Sequence, residues 1–282
     1  LNNHPDIACF PTLPFHNESG EKRIGEVHFF NTLASLEGES EEKFTRPFSD
    51  FETKYDRVFA DLVPLKGKVS NGELFEIFRE RYSDYCDRQR GNKKIVGEAT
   101  AAYVFHLNFI DSLYPGIKKL CVIRDPKDKI VSWHFNMLRK AKKKEAHISR
   151  EFAISYLEKR IIGEYKALLA YSGPVHCLTY EALSEYTYDV VRGMVRYLSM
   201  PDSDAILAHM VGEASFEKQT ARDSHAGGRE RGEENAKSGF RKGIVGDWQN
   251  HLSKGLAEEI DGATLDYRKR IIEKFNIKNK YE

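Results

Sequence analysis

The chain has 282 residues, 40% hydrophobic and 12% aromatic, enough apolar material to bury a core and to exclude wholesale disorder. Lys and Arg number 44 against 43 Asp and Glu, so there is no global polyanion-binding signature, nucleic acid is not an expected partner, and any anion site must be local. No apolar stretch reaches the ~18 residues of a membrane span, and no signal-peptide pattern is visible. Cys9, Cys86, Cys121 and Cys177 are scattered without a CxxC pair, which suits reduced thiols and a cytoplasmic setting.

In chain order, the opening "LNNHPDI" reads as the end of a helix already under way, so a preceding segment is expected. "DIACF" 6–10 is a weak strand. "GEVHFF" 25–30 is an extended stretch that puts Glu26 and His28 on one face, with Phe29 and Phe30 as anchors. A carboxylate in such partly dry surroundings has its pKa raised, which suits proton abstraction from a hydroxyl. The plainer reading pairs Glu26 with Lys22 or Arg23 and packs His28 in the core. Residues 72–90 carry Leu74, Phe75, Phe78, Tyr82 and Tyr85 near helical spacing.

The runs "KKIVGE" 93–98, "KKLCVIR" 118–124 and "VHCLTY" 175–180 are apolar on successive residues, as strands buried on both faces are. Helical patterns cover 126–143, 150–171, 186–199 and 254–275. Strands alternating with helices predict a single α/β domain over 1–282, with three layers and a central, mainly parallel sheet flanked by helices on both faces. The segment 221–243 is rich in glycine and charge, and reads as a mobile surface loop ending in an ordered motif. The basic run "RKAKKKEAH" 139–147 suits either a solvated helix end or attraction of an anionic acceptor.

Two segments carry the chemistry. In "CVIRDPKDKIVSWHF" 121–135, Asp125 is a helix cap, Pro126 the first helical residue, and Arg124 stands at the carboxyl end of a strand, where open α/β sheets bind ligands. Arg124 offers a planar fork matched to phosphate, and Ser132, two turns into the helix, adds a hydroxyl. The competing reading pairs Arg124 with a carboxylate and leaves Ser132 an ordinary surface residue. In "FRKGIVGDWQNHLS" 240–253, Arg241 and Lys242 supply two charges, Gly243 and Gly246 let backbone amides approach a ligand, and Trp248 wedges the loop onto the domain. The histidines show no HxxxH or HExxH spacing, so no metal site is expected.

"VIRDPKDKIVSWHFN" resembles the 3′-phosphate-binding motif of the sulfotransferases, and "FRKGIVGDWQNHLS" resembles the RKGxxGDW segment of the cytosolic branch. "TYEAL" 179–183 resembles the family's Tyr-Glu segment, and "SFEKQ" 215–219 its short Phe-bearing motif. The resemblance implies a P-loop-kinase-like fold and 3′-phosphoadenosine 5′-phosphosulfate (PAPS) as donor. It further implies release of adenosine 3′,5′-bisphosphate (PAP), with Tyr180 and Phe216 flanking the adenine, and Arg124, Ser132, Arg241, Lys242 and Gly243 at the 3′-phosphate. The first hundred residues resemble heparan sulfate 3-O- and N-sulfotransferases, in "HPD", in "GEVHFFN", and in "VGEATAAYVF" against their EKTPAY segment. That likeness favours Glu26 as base, with His28 the runner-up. Ala99, Ala101 and Asn31 depart from that branch's Lys, Pro and Asp, so its acceptor specificity is not carried over.

The acceptor is expected to be a small molecule or carbohydrate with a hydroxyl or amine, and no metal is implied. The family's phosphosulfate loop precedes the HPD segment and is expected upstream of Leu1; a Golgi-lumenal setting would follow if an anchor lies there too. Two other readings stay open: a nucleotide-binding module of this fold without transfer activity, and a nucleotide kinase, which would need a GxxxxGK[ST] loop that this sequence lacks.

Overall fold

Strands form at all four apolar runs. The computed structural model describes residues 1, 3–9, 13–16, 22–25, 29–30, 33–34, 60–65, 68–142, 147–222 and 227–277. They fall into two units, Leu1–Ile117 and Lys118–Glu282.

In the first unit β1 (Ile7–Cys9) is followed by an antiparallel pair, β2 (Leu13–His16) and β3 (Lys22–Gly25), that the sequence did not announce. Helix α1 (Asn71–Arg90) starts at a reciprocal cap: Ser70 Oγ accepts the Glu73 N–H at 3.2 Å, and Glu73 Oε2 accepts the Ser70 N–H at 2.9 Å. Its apolar stripe, Leu74, Phe75, Phe78, Tyr82 and Tyr85, is buried with Phe29, Phe30, Phe109 and Ile110. Phe109 and Ile110 come from α2 (Leu107–Leu113). β4 (Ile95–Gly97) runs parallel to β1, with Ile7 opposite Ile95 and Cys9 opposite Gly97.

Glu98, just past β4, ties this core together. Its carboxylate accepts hydrogen bonds from the Tyr103 and Tyr82 hydroxyls, while Tyr103 accepts the Phe30 N–H at 3.4 Å and Tyr82 stacks on Phe29 at 3.4 Å between centroids. Its Oε2 is buried with no partner among the described residues.

In the second unit β5 (Leu120–Ile123) runs parallel to β6 (His176–Thr179), with Cys121 opposite Cys177. Helix α3 (Pro126–Ala141) starts as the sequence predicts, Asp125 Oδ1 accepting the Lys127 N–H at 2.8 Å ahead of Pro126. The pattern over 150–171 becomes α4 (Arg150–Tyr156), a π-helical turn Leu157–Ile161, and α5 (Ile162–Ala170). Then come α6 (Tyr180–Glu185), α7 (Thr187–Tyr197), α8 (Asp204–Glu213), α9 (Phe216–Arg222) and α10 (Lys254–Lys274), the last packed on α5 and α3. Ile130, Val131, Leu157, Ile161, Tyr165, Leu168 and Ile260 form the interior.

The chain is thus α/β and mostly helical. Among the described residues it has small two-stranded sheets, two of them parallel and each within its own unit, where one continuous central sheet was expected. No helix of these residues is long and apolar enough to cross a membrane.

Burial lifts the Glu98 pKa from 4.5 to about 7, against the Tyr103 and Tyr82 hydrogen bonds that lower it. The folded chain therefore holds this proton more tightly than the unfolded chain. The contribution to stability is full below pH 4.5 and is lost as pH rises toward 7, a change of about 3 kcal/mol. Urea unfolding followed by circular dichroism across this window checks it: Glu98→Gln should remove this component of the pH dependence.

Candidate functional site

Arg124 follows β5 directly. Its guanidinium lies over the Tyr180 ring at 4.5 Å. Among the described residues it has no carboxylate partner, and its buried Nε has no hydrogen-bond acceptor. The Asp125 N–H donates to Glu181 Oε1 at 2.9 Å, which fixes the start of α6, and with it Tyr180, beside the end of β5. A cleft of about 140 Å³ opens here, lined by Arg124, Asp128, Ser132, Tyr180, Phe216, Lys242 and Gly243 among others. Arg241 also lines it, so every expected binding residue of this half of the chain meets at one cleft.

Gly243 has a structural reason to be glycine. Its φ is +68°, and a Cβ there would come within 2.4 Å of the Phe216 ring. The backbone therefore lies directly against the aromatic face, and α9 is held to the 240–250 loop by that contact.

Asp128, in the first turn of α3, anchors the loop. It is 1% exposed; its Oδ2 accepts the Gly246 N–H at 2.7 Å and its Oδ1 the Trp248 N–H at 3.0 Å. Gly246 supplies the left-handed turn, φ +81°, between these contacts. The residue before it on α3, Lys127, is also buried. It pairs with Asp261 of α10 and with Asp125 at 3.3 Å, and its ammonium sits 4.7 Å from the Trp248 ring centre. Trp248 is the wedge the sequence suggested, held through its backbone as well as its ring.

The two positive charges expected of Arg241 and Lys242 are present, and both are paired with carboxylates. Arg241 pairs with Asp247 and with Glu234 at 2.8 Å, and its guanidinium lies 4.1 Å from the Phe135 ring centre. Lys242 reaches Asp247 at 3.0 Å and Glu234 at 3.3 Å. Two cations thus face two carboxylates. Burial acts to raise the Asp247 pKa, but hydrogen bonds from Arg241, Asn250 and Lys242 outweigh it and hold this carboxyl well below the usual range.

Within the segment 221–243, expected as a surface loop, residues 227–243 carry a set of internal hydrogen bonds. Arg229 donates to the carbonyls of Glu233 at 2.6 Å, Arg241 at 3.0 Å and Phe240. The Gly232 N–H reaches the Lys242 carbonyl at 2.9 Å, and the Asn235 N–H the Arg241 carbonyl at 3.0 Å. One half-buried cation, with several backbone acceptors, ties the loop to itself. Glu26 and His28 lie outside the described residues; Phe29 and Phe30, their expected anchors, are buried.

The sequence match agrees with this arrangement. Residues 99–271 match the model of the sulfotransferase domain family, and the chain belongs to that family. It is similar to cytosolic sulfotransferase 16 of Arabidopsis thaliana, 28% identical over 169 residues, covering 52% of this chain and 49% of that protein. Sulfotransferase 6B1 of Danio rerio is 25% identical over 151 residues, covering 51% and 49%. The chain spans about half the length of these curated relatives. Among solved structures, a sulfotransferase from Alicyclobacillus acidocaldarius aligns with TM-score 0.49 at 17% identity, over 98% of this chain and 88% of that one. Mouse sulfotransferase SULT7A1, complexed with PAP, aligns with TM-score 0.40 at 19% identity, over 54% and 58%.

Asp128→Ala leaves two backbone amides without their acceptor. Each hydrogen bond to a charged group is worth about 1.5–3 kcal/mol, so the loss of two should cost the second unit roughly 3–6 kcal/mol and the loop should detach. Acrylamide quenching of Trp248 in a Trp133→Phe background reads this: the variant should be quenched more readily than its parent.

Proposed function

We propose that the chain is a sulfotransferase that moves the sulfuryl group of PAPS to a hydroxyl or amine of a small-molecule or carbohydrate acceptor and releases PAP. The observation that carries this reading is Arg124: a cation at a strand end, laid on Tyr180, with no carboxylate partner among the described residues, facing a cleft that Ser132, Phe216 and Gly243 complete. In this reading the Arg124 fork and the Ser132 hydroxyl hold the 3′-phosphate. The adenine lies between Tyr180 and Phe216, and the Gly243 amide approaches the phosphate because no side chain intervenes. Glu234, half-exposed, is the partner that an arriving phosphate displaces from Arg241 and Lys242.

The donor's sulfuryl group is already activated by its anhydride bond, so the protein's part is to orient it, to remove the acceptor proton and to exclude water. Glu26 is assigned the proton, with His28 as the alternative base. The reading includes a single domain over 1–282 with a three-layer α/β core and a cytoplasmic setting; the family match, which runs across residues 117 and 118, supports the single domain.

Affinity for PAP and for 5′-AMP in Arg124→Ala tests the donor site. Loss of charge-assisted bonds should weaken PAP by about 1.5–3 kcal/mol, roughly 10- to 150-fold, and leave 5′-AMP, which lacks the 3′-phosphate, nearly unchanged. Equal loss for both ligands contradicts the assignment. For the base, Glu26→Gln should lower turnover by roughly 10²–10⁴-fold at unchanged PAP affinity. Normal turnover in Glu26→Gln with loss in His28→Ala reverses the two roles. PAP binding with no turnover of any acceptor tried would favour the binding-module reading.

A further inference from the structure

A second cleft, of about 250 Å³, continues from the first along α3, sharing Arg124, Ser132 and Arg241 with it. Its walls hold four cations, Arg124, Lys129, Arg139 and Arg241, and no Asp or Glu. Lys129 is matched by Glu164, and Arg241 by Glu234 and Asp247. Arg124 and Arg139 have no carboxylate partner among the described residues.

Ser132, Asn136 and Arg139 are spaced i, i+4 and i+7, so they form one polar stripe on the helix face. At 1.5 Å per residue the stripe is about 10 Å long, more than one tetrahedral anion spans. Arg139 Nη2 donates to Asn136 Oδ1 at 2.7 Å, which holds the guanidinium on the wall and leaves its other N–H groups to a ligand. Beside it, Trp133 stacks on Tyr156 at 5.4 Å and 9°, an apolar wall for whatever carries the anion. Ser238 and Gly239 belong to the lining as well.

We infer that this stripe is a second anion subsite, built on Arg139 and Asn136, which takes a phosphate or sulfate group while a nucleotide occupies Arg124. Arg139 opens the basic run 139–147, so the run has a directed use at its first residue besides solvation. The subsite extends the proposed donor cleft but does not depend on sulfuryl transfer. Arg139 also lies in the last turn of α3, where a cation offsets the helix dipole; that role alone would bind no ligand.

Titration calorimetry tests the subsite, with inorganic phosphate, phenyl phosphate and benzyl alcohol as probes. Each is added to wild type and to Arg139→Gln, with and without saturating PAP. The expected result is that phenyl phosphate binds PAP-loaded wild type, benzyl alcohol does not, and Arg139→Gln weakens phenyl phosphate at least tenfold. Asn136→Ala should weaken it less, and Arg139→Lys should restore part of the loss. Tighter binding of phenyl phosphate than of inorganic phosphate assigns an ester; equal binding assigns the free anion. No binding of either anion to loaded wild type, or equal binding by wild type and Arg139→Gln, overturns the proposal. If PAP itself fails to bind, the donor-site reading falls, while the titrations without PAP still report on Arg139.

Discussion

The buried carboxylate of Asp128 is the constraint on which the cleft depends. It sits in the first turn of α3, where the helix dipole favours a negative charge, and it holds the Gly246 and Trp248 amides. Those two contacts bracket Asp247, so they also set where its carboxylate meets Arg241 and Lys242. The same loop brings Gly243 against Phe216. One side chain on the helix that follows Arg124 thus orients the segment on the other side of the cleft. Both clusters are fixed to the same short piece of backbone.

Charge is distributed unevenly around this frame. Lys127, Arg241 and Lys242 each have carboxylate partners and serve as ties within the protein. Arg124 has an aromatic ring beneath it and a buried N–H without an acceptor. A buried unsatisfied donor on a charged group costs free energy unless something arrives to meet it. Holding such a donor in place before a ligand binds removes part of the ordering cost from the binding step. This contrast between paired and unpaired cations, more than the number of basic residues, marks the place where an anion fits.

Much of this was legible in the sequence. The four strand runs and five helical patterns follow from apolar spacing, and the Asp125–Pro126 start follows from cap chemistry. Arg124, Ser132, Tyr180, Phe216 and Gly243 were readable because family motifs mark them, and the structure brings them to one cleft. The partners were not readable. Asp128 looks like one charge among several in "DPKDK", and nothing local says that it is buried 118 residues away from the amide it meets at Gly246. Glu234 and Arg229 lie in a stretch whose composition reads as solvated, yet pairing of these side chains with Arg241, further along the same segment, helps give that stretch its shape. Glu98 was visible only as part of a motif; its raised pKa comes from burial between α1 and the Tyr103 turn, which is a tertiary fact.

The most direct test of the account is a crystal structure of the chain with PAP. The account predicts the 3′-phosphate within hydrogen-bonding distance of the Arg124 guanidinium and the Ser132 hydroxyl, with Asp128 still holding the Gly246 and Trp248 amides. A 3′-phosphate bound away from Arg124, or a nucleotide whose binding frees Asp128 from those amides, would contradict it.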